Sequence, residues 1–177
     1  MPELTLRRAT AADERVLAAL AARLSAFELP SWRAPLGISD ADARAMIAAV
    51  AGGDPDDEVL IAERAGEVVG CLHVLAVTDF FGLRHGHVSV IATTEAAEGS
   101  GVARRLMEHA EQWTAERGLP LLTLNTFAGN ARARRFYEKG GFQVEMVKYA
   151  KRVSSQFPTS KDQGTSNAQF PSETPNS

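Results

Sequence analysis

The chain has 177 residues, 45% hydrophobic and 23% charged, which suits one globular domain with a real core. Its formal net charge of −3 argues against generic binding to nucleic acid or anionic membrane. A single cysteine excludes an internal disulfide and a cysteine-based metal cluster, and four histidines without HxxxH-type spacing give metal binding no support. No apolar run approaches the length of a membrane span, and "MPELTLRRAT" lacks a signal-peptide core, so the expected location is the cytoplasm.

In chain order, residues 4–9 alternate and predict a first strand. Thr10 with Asp13 three residues on predicts a capping box for a helix carrying Val16, Leu17, Leu20, Leu24 and Phe27 at helical spacing. Residues 28–38, with two prolines and a tryptophan, predict a loop. A second helix is predicted with Ser39 and Asp42 as its capping pair and Met46, Ile47 and Val50 on one face. Strands 58–64 and 67–78 are expected to form a hairpin turning at Ala65-Gly66.

Residues 79–86 predict a loop rich in bulky side chains, followed by a strand over 87–94. Val102, Ala103, Leu106, Ala110 and Trp113 then recur every three or four positions and predict a helix over 101–117, stopped by Gly118 and Pro120. A buried strand over 121–126, a short helix over 130–140 and a last strand over 141–153 complete the pattern. The predicted order is β-α-α-β-β-β-α-β-α-β, an α/β domain over 1–153. From Ser154 to Ser177 the composition turns polar and predicts a disordered tail.

Gly99-Ser100-Gly101-Val102-Ala103 sits between a predicted strand and a predicted helix. Helix N-termini carry unpaired N–H groups and attract anions, and glycines let a ligand approach the backbone. The fingerprint glycine of a dinucleotide site is replaced by Arg104, and no Walker lysine is present. Two readings stay open here: a phosphate cradle, or small residues that let the helix pack closely on the sheet. Glu98 places a carboxylate at the lip of any such cradle.

Further on, "NTFAGNARARRFYEKGGF" sets Asn130 at a helix start, Ala133 on its sheet side, Tyr137 in the last turns and Gly141-Phe142 before a strand. Together the two stretches resemble the GCN5-related N-acetyltransferase (GNAT) superfamily. The family's Q/R-x-x-G-x-G/A motif falls on Glu98 to Ala103, and its N-x-x-A-x-x-x-Y-x-x-x-G-F motif on Asn130, Ala133, Tyr137, Gly141 and Phe142. The resemblance covers about residues 4–153.

It implies a mixed, mostly antiparallel central sheet with helices on both faces, the strands over 87–94 and 121–126 splaying apart. Acetyl-CoA is the implied cosubstrate, with no metal. Its pantetheine arm would pair with Ile91, Ala92 and Thr93 as an added strand does. Its pyrophosphate would sit on the N–H groups of Gly99 to Arg104, with Ser100 adding a hydroxyl and Arg104 or Arg105 a charge. Asn130 would bond the pantetheine or simply cap its helix.

The implied reaction is direct attack of a primary amine, from a small molecule or a protein, on the thioester, with Tyr137 protonating the departing thiolate. An alkylammonium holds its proton until about pH 10, so a base is wanted. The strand before the phosphate loop offers His85 and His87, with Asp79 and Glu28 as loop alternatives. Phe27, Glu28, Trp32 and Arg33, with Phe80 and Phe81, are the candidate acceptor walls. Cys71, mid-strand, reads as core. Glu98 is expected to face away from the phosphates. The alternatives are a weak or inactive CoA-binding module of the same fold and an unrelated nucleotide binder. The expected assembly is a monomer or homodimer.

Overall fold

A computed structural model describes residues 2–25, 30 and 38–151. Ala65 and Gly66 take φ values of 55° and 80°, the left-handed pair a two-residue hairpin turn requires. That turn joins β2 (Asp57–Arg64) to β3 (Glu67–Thr78), with Arg64 opposite Glu67. β1 (Leu4–Arg8) pairs antiparallel with β2, and β4 (Arg84–Thr93) antiparallel with β3. β5 (Leu122–Leu124) closes the order β1-β2-β3-β4-β5 by pairing parallel with β4. The sheet is therefore mixed and mostly antiparallel, as expected.

β2 is buried almost throughout because both of its faces are covered. On one face, Leu60, Leu72, Val74 and Val88 pack under Val102, Leu106, Ala110 and Trp113 of α3 (Val102–Glu116), with α4 (Ala131–Lys139) adding Phe136 and Tyr137. On the other, Val59, Ile61, Cys71, Val90 and Ala92 pack against α1 (Glu14–Ala22) and α2 (Ile38–Gly52) through Leu17, Leu20 and Met46. A fully buried side chain of this size contributes about 1.5–3 kcal/mol.

The Thr10–Asp13 capping box forms over a short 3-10 turn, Ala11–Asp13. The Asp13 carboxylate accepts from Thr10 N at 2.7 Å and from Arg7 Nη1 and Nη2 at 2.8 Å each. The Arg7 guanidinium holds this carboxyl well below the usual range.

Three expectations are corrected. α2 already includes Ile38, so Ser39 lies in its first turn rather than at the cap. β4 begins at Arg84, because Asp79 closes a shorter turn by accepting from Phe81 N and Leu83 N, both at 2.9 Å. The last strand does not form: residues 142–151 carry no strand. Val144, Met146, Val147 and Tyr149 are 63–91% exposed there, and three-residue β5 offers almost no edge to pair with. Phe27, Glu28, Trp32, Arg33 and the tail lie outside the described residues. No described helix is long and apolar enough to cross a membrane, and no described cluster of three His, Cys, Asp or Glu could hold a metal.

Candidate active site

Gly99 and Gly101, at φ 72° and 85°, turn the chain twice before α3, and a Cβ at either would meet nothing within 4 Å. Both face open space at the start of a 15-residue helix. Arg105 N already donates to Gly101 O at 3.1 Å, while the N–H groups of Val102, Ala103 and Arg104 precede the first intrahelical bonds. This backbone suits an anionic group of the pyrophosphate type.

The side chains around it are committed elsewhere. The Ser100 hydroxyl donates to Ala97 O at 2.6 Å, so it does not supply the free donor expected of it. Arg104 donates to Glu108 at 3.0 Å, along α3 and away from the loop, and Arg105 lies 3.6 Å from the same carboxylate. Glu98 accepts from Arg23 Nη2 at 2.8 Å and Arg132 Nη1 at 2.6 Å, which hold its carboxyl below the usual range, Arg132 most strongly.

Beside the loop, β4 and β5 pair only over Gly86–Leu122, His87–Thr123 and Val88–Leu124. Past Val88 the β4 edge that faced β5 has no strand beside it among the described residues, and Ile91, Ala92 and Thr93 lie on this stretch. The register with β3 slips at the same place: Val74 opposes Val88 and His73 opposes Val90, leaving Ser89 as the extra residue. The bulge moves side chains between faces. Val88 belongs to the α3 side, whereas Val90 and Ala92 belong to the α1–α2 side.

By strand alternation, His85 and His87 lie on the α1–α2 side, across from Val88. His87 is half-buried, with Nδ1 2.7 Å from Thr123 Oγ1. Burial, then the neighbouring His85 and His73, lower its pKa from the ordinary imidazole value. His85 is 6% exposed and its Nδ1 lies 3.1 Å from Leu83 O. His73 Nε2 lies 2.7 Å from Asp57 Oδ1, while its buried Nδ1 lacks a partner among the described residues. Burial pushes the Cys71 thiol up to about 12, consistent with core and not with a nucleophile.

Tyr137 packs with Ile91 against the apolar cluster of the α3 side. Its ring meets Phe136 and Phe142 edge-on, at centroid distances of 5.4 and 6.0 Å. Burial pushes its hydroxyl above the ordinary phenol value, so it keeps its proton at neutral pH. Asn130 caps α4, its Oδ1 accepting from Ala133 N at 3.1 Å. Asp79 is occupied by its own turn, and Phe80 and Phe81 stack on each other there at 77% and 79% exposure.

The family model described as "Acetyltransferase (GNAT) family" matches residues 21–142. The chain belongs to the GNAT acetyltransferase family. The GNAT match agrees with the two motifs and ends at Phe142, where the structure also loses regular elements. This GNAT chain is 34% identical over 88 residues to an IAA acetyltransferase of Azospirillum brasilense, covering 50% of the chain and 56% of that protein. It is 32% identical over 91 residues to a mycothiol acetyltransferase of Propionibacterium freudenreichii subsp. shermanii, covering 51% of the chain and 29% of that protein. The matched region thus spans about half or less of either relative. An aminoglycoside N-acetyltransferase solved in complex with CoA shares the fold, with TM-score 0.68 at 15% identity, covering 87% of this chain and 97% of that one.

Sequence reasoning missed Thr123, His73, Arg23 and Arg132. The first two come into place only through strand register, and the arginines only through folding around Glu98.

Proposed function

We propose that this chain is an N-acetyltransferase that moves an acetyl group from acetyl-CoA to a primary amine by direct attack on the thioester. The observation that carries the reading is the juxtaposition of a positive-φ glycine loop at the start of α3, the open β4 edge over Ile91–Thr93, and Tyr137. The cosubstrate supplies a thioester whose carbonyl accepts the amine and whose sulfur leaves as thiolate. Gly99 and Gly101 to Arg104 bind its pyrophosphate through backbone N–H groups, the Ser100 N–H being held by Ala97 O at 3.2 Å. Ile91, Ala92 and Thr93 orient the pantetheine arm by strand-like hydrogen bonds and offer N–H donors to the oxyanion. Asn130, its oxygen engaged as a cap, has its amide N–H₂ for a pantetheine carbonyl.

Tyr137 approaches from the α3–α4 side with its proton in place and gives it to the thiolate. His87 approaches from the α1–α2 side with its pKa lowered, so that it is neutral at pH 7 and takes the ammonium proton. Acid and base thus reach the gap from opposite faces of the sheet, and neither competes for the other's proton. His85, nearly covered and held to Leu83 O, tunes His87 electrostatically.

The test is thiol release from acetyl-CoA with a panel of amines. Tyr137→Phe is expected to lower kcat about 10²–10⁴-fold with CoA affinity kept. Turnover in that variant equal to wild type removes Tyr137 from its role. CoA binding without turnover of any amine favours a binding module instead.

A further inference from the structure

We infer that Thr123 is a positioning residue that fixes the tautomer of His87, directing its basic nitrogen away from the sheet. The inference rests on the reading of His87 as base and concerns how that base is prepared. Parallel pairing sets Thr123 directly opposite His87. His87 Nδ1 lies 2.7 Å from Thr123 Oγ1, and Thr123 Oγ1 lies 3.4 Å from Gly86 O. A hydroxyl has one proton, and a carbonyl oxygen can only accept. With the Thr123 proton directed to Gly86 O, its oxygen accepts from His87 Nδ1–H. A neutral imidazole carries a single N–H, so Nε2 keeps its lone pair for a substrate proton.

The opposite arrangement would place the proton on Nε2 and turn the base into a donor. Other groups do not set this choice. His85 is bound to Leu83 O and His73 to Asp57, and the histidine whose charge is felt by Asp42 of α2 is His73. His85 and His73 act on His87 only through their fields. Thr123 alone among the described residues makes a hydrogen bond to the His87 ring.

Thr123→Val preserves the β-branched shape and removes the hydroxyl, whereas Thr123→Ser preserves the hydroxyl. The full chain labelled with ¹⁵N-histidine reports the tautomer by NMR at neutral pH, the His87 signals being assigned by their loss in His87→Gln. Wild type and Thr123→Ser are expected to show a protonated Nδ1 and a bare Nε2. Thr123→Val is expected to move the population toward Nε2–H and to lower kcat about five- to tenfold, at unchanged CoA affinity, with Thr123→Ser restoring both. An Nε2–H tautomer in wild type, an unchanged tautomer in Thr123→Val, or a tautomer change with no loss of kcat would overturn the inference. The NMR measurement requires no turnover. Unchanged kcat in His87→Gln sinks the base reading separately.

Discussion

Gly70 is where β3, the start of α3 and the β4 edge at Ala92 press together, and replacing it with alanine perturbs all three. A Cβ built at Gly70 would stand 2.8 Å from Ala92 O, 3.1 Å from Val102 Cγ1 and 3.4 Å from Leu106 Cδ1. The first partner is backbone of β4 and cannot rotate away. The second is the first residue of α3, fully buried. Relieving the contact means lifting β4 near Ala92 or pushing the start of α3 outward by a few tenths of an ångström. Overpacking of this kind costs about 1–3 kcal/mol. The smaller chain entropy of unfolded alanine offsets about 0.4–1 kcal/mol of that. The net expectation is about 1–2 kcal/mol of lost stability, a fall in Tm of about 2–8 °C for a chain of this size. CoA affinity should fall with it, because Ala92 and Val102 lie on the two elements proposed to hold the cofactor. Thermal unfolding and a CoA titration on the same variant decide the matter. A Gly70→Ala protein as stable as wild type would refute the packing argument, whatever its CoA affinity.

Gly101→Ala meets no neighbour but must hold φ 85°, and should cost about 1–2 kcal/mol and weaken CoA binding, measured by the same two assays. Asp13 is bound to Arg7 and has a depressed pKa when folded, so its stabilisation is present above the unfolded carboxylate range and lost as pH falls below about 4. Asp13→Asn should therefore cost about 1–2 kcal/mol at pH 7, modest because Arg7 stays partly in solvent, and the gap to wild type should narrow on acidification in urea melts. His87 is pushed below the ordinary imidazole value by burial and then by His85 and His73, so its basic form persists to lower pH. The acid limb of kcat/KM should lie below about 6.5, and a limb above that value would remove His87 as the base.

What the sequence revealed was local. Ala65-Gly66 needs only its own backbone preferences to turn a chain, and α3 is written in the 3.6-residue spacing from Val102 to Trp113. The glycine loop and Asn130 likewise depend on neighbours a few residues away. The predicted strand after Phe142 failed because a strand exists only against a partner, and β5 proved too short to be one. The same limit hid the His87–Thr123 contact, 36 residues apart in sequence and set by parallel register. It hid the partners of Glu98, which lie 75 and 34 residues away.

Glu98 stands where the motif of the family that the sequence resembles has arginine or glutamine, and by itself it would repel an anionic ligand. Yet it does not act by itself. With Arg23 and Arg132 on its two oxygens and Glu95 3.8 Å from Arg23, the group holds two positive and two negative charges, so the carboxylate at the lip is neutralised. The lip is therefore neutral as a sum even though Glu98 alone is negative. That sum is delivered by three separate parts of the chain: the turn after α1, the loop and the first turn of α4. A change at any of the three would therefore be felt as a change in the charge beside the glycine loop.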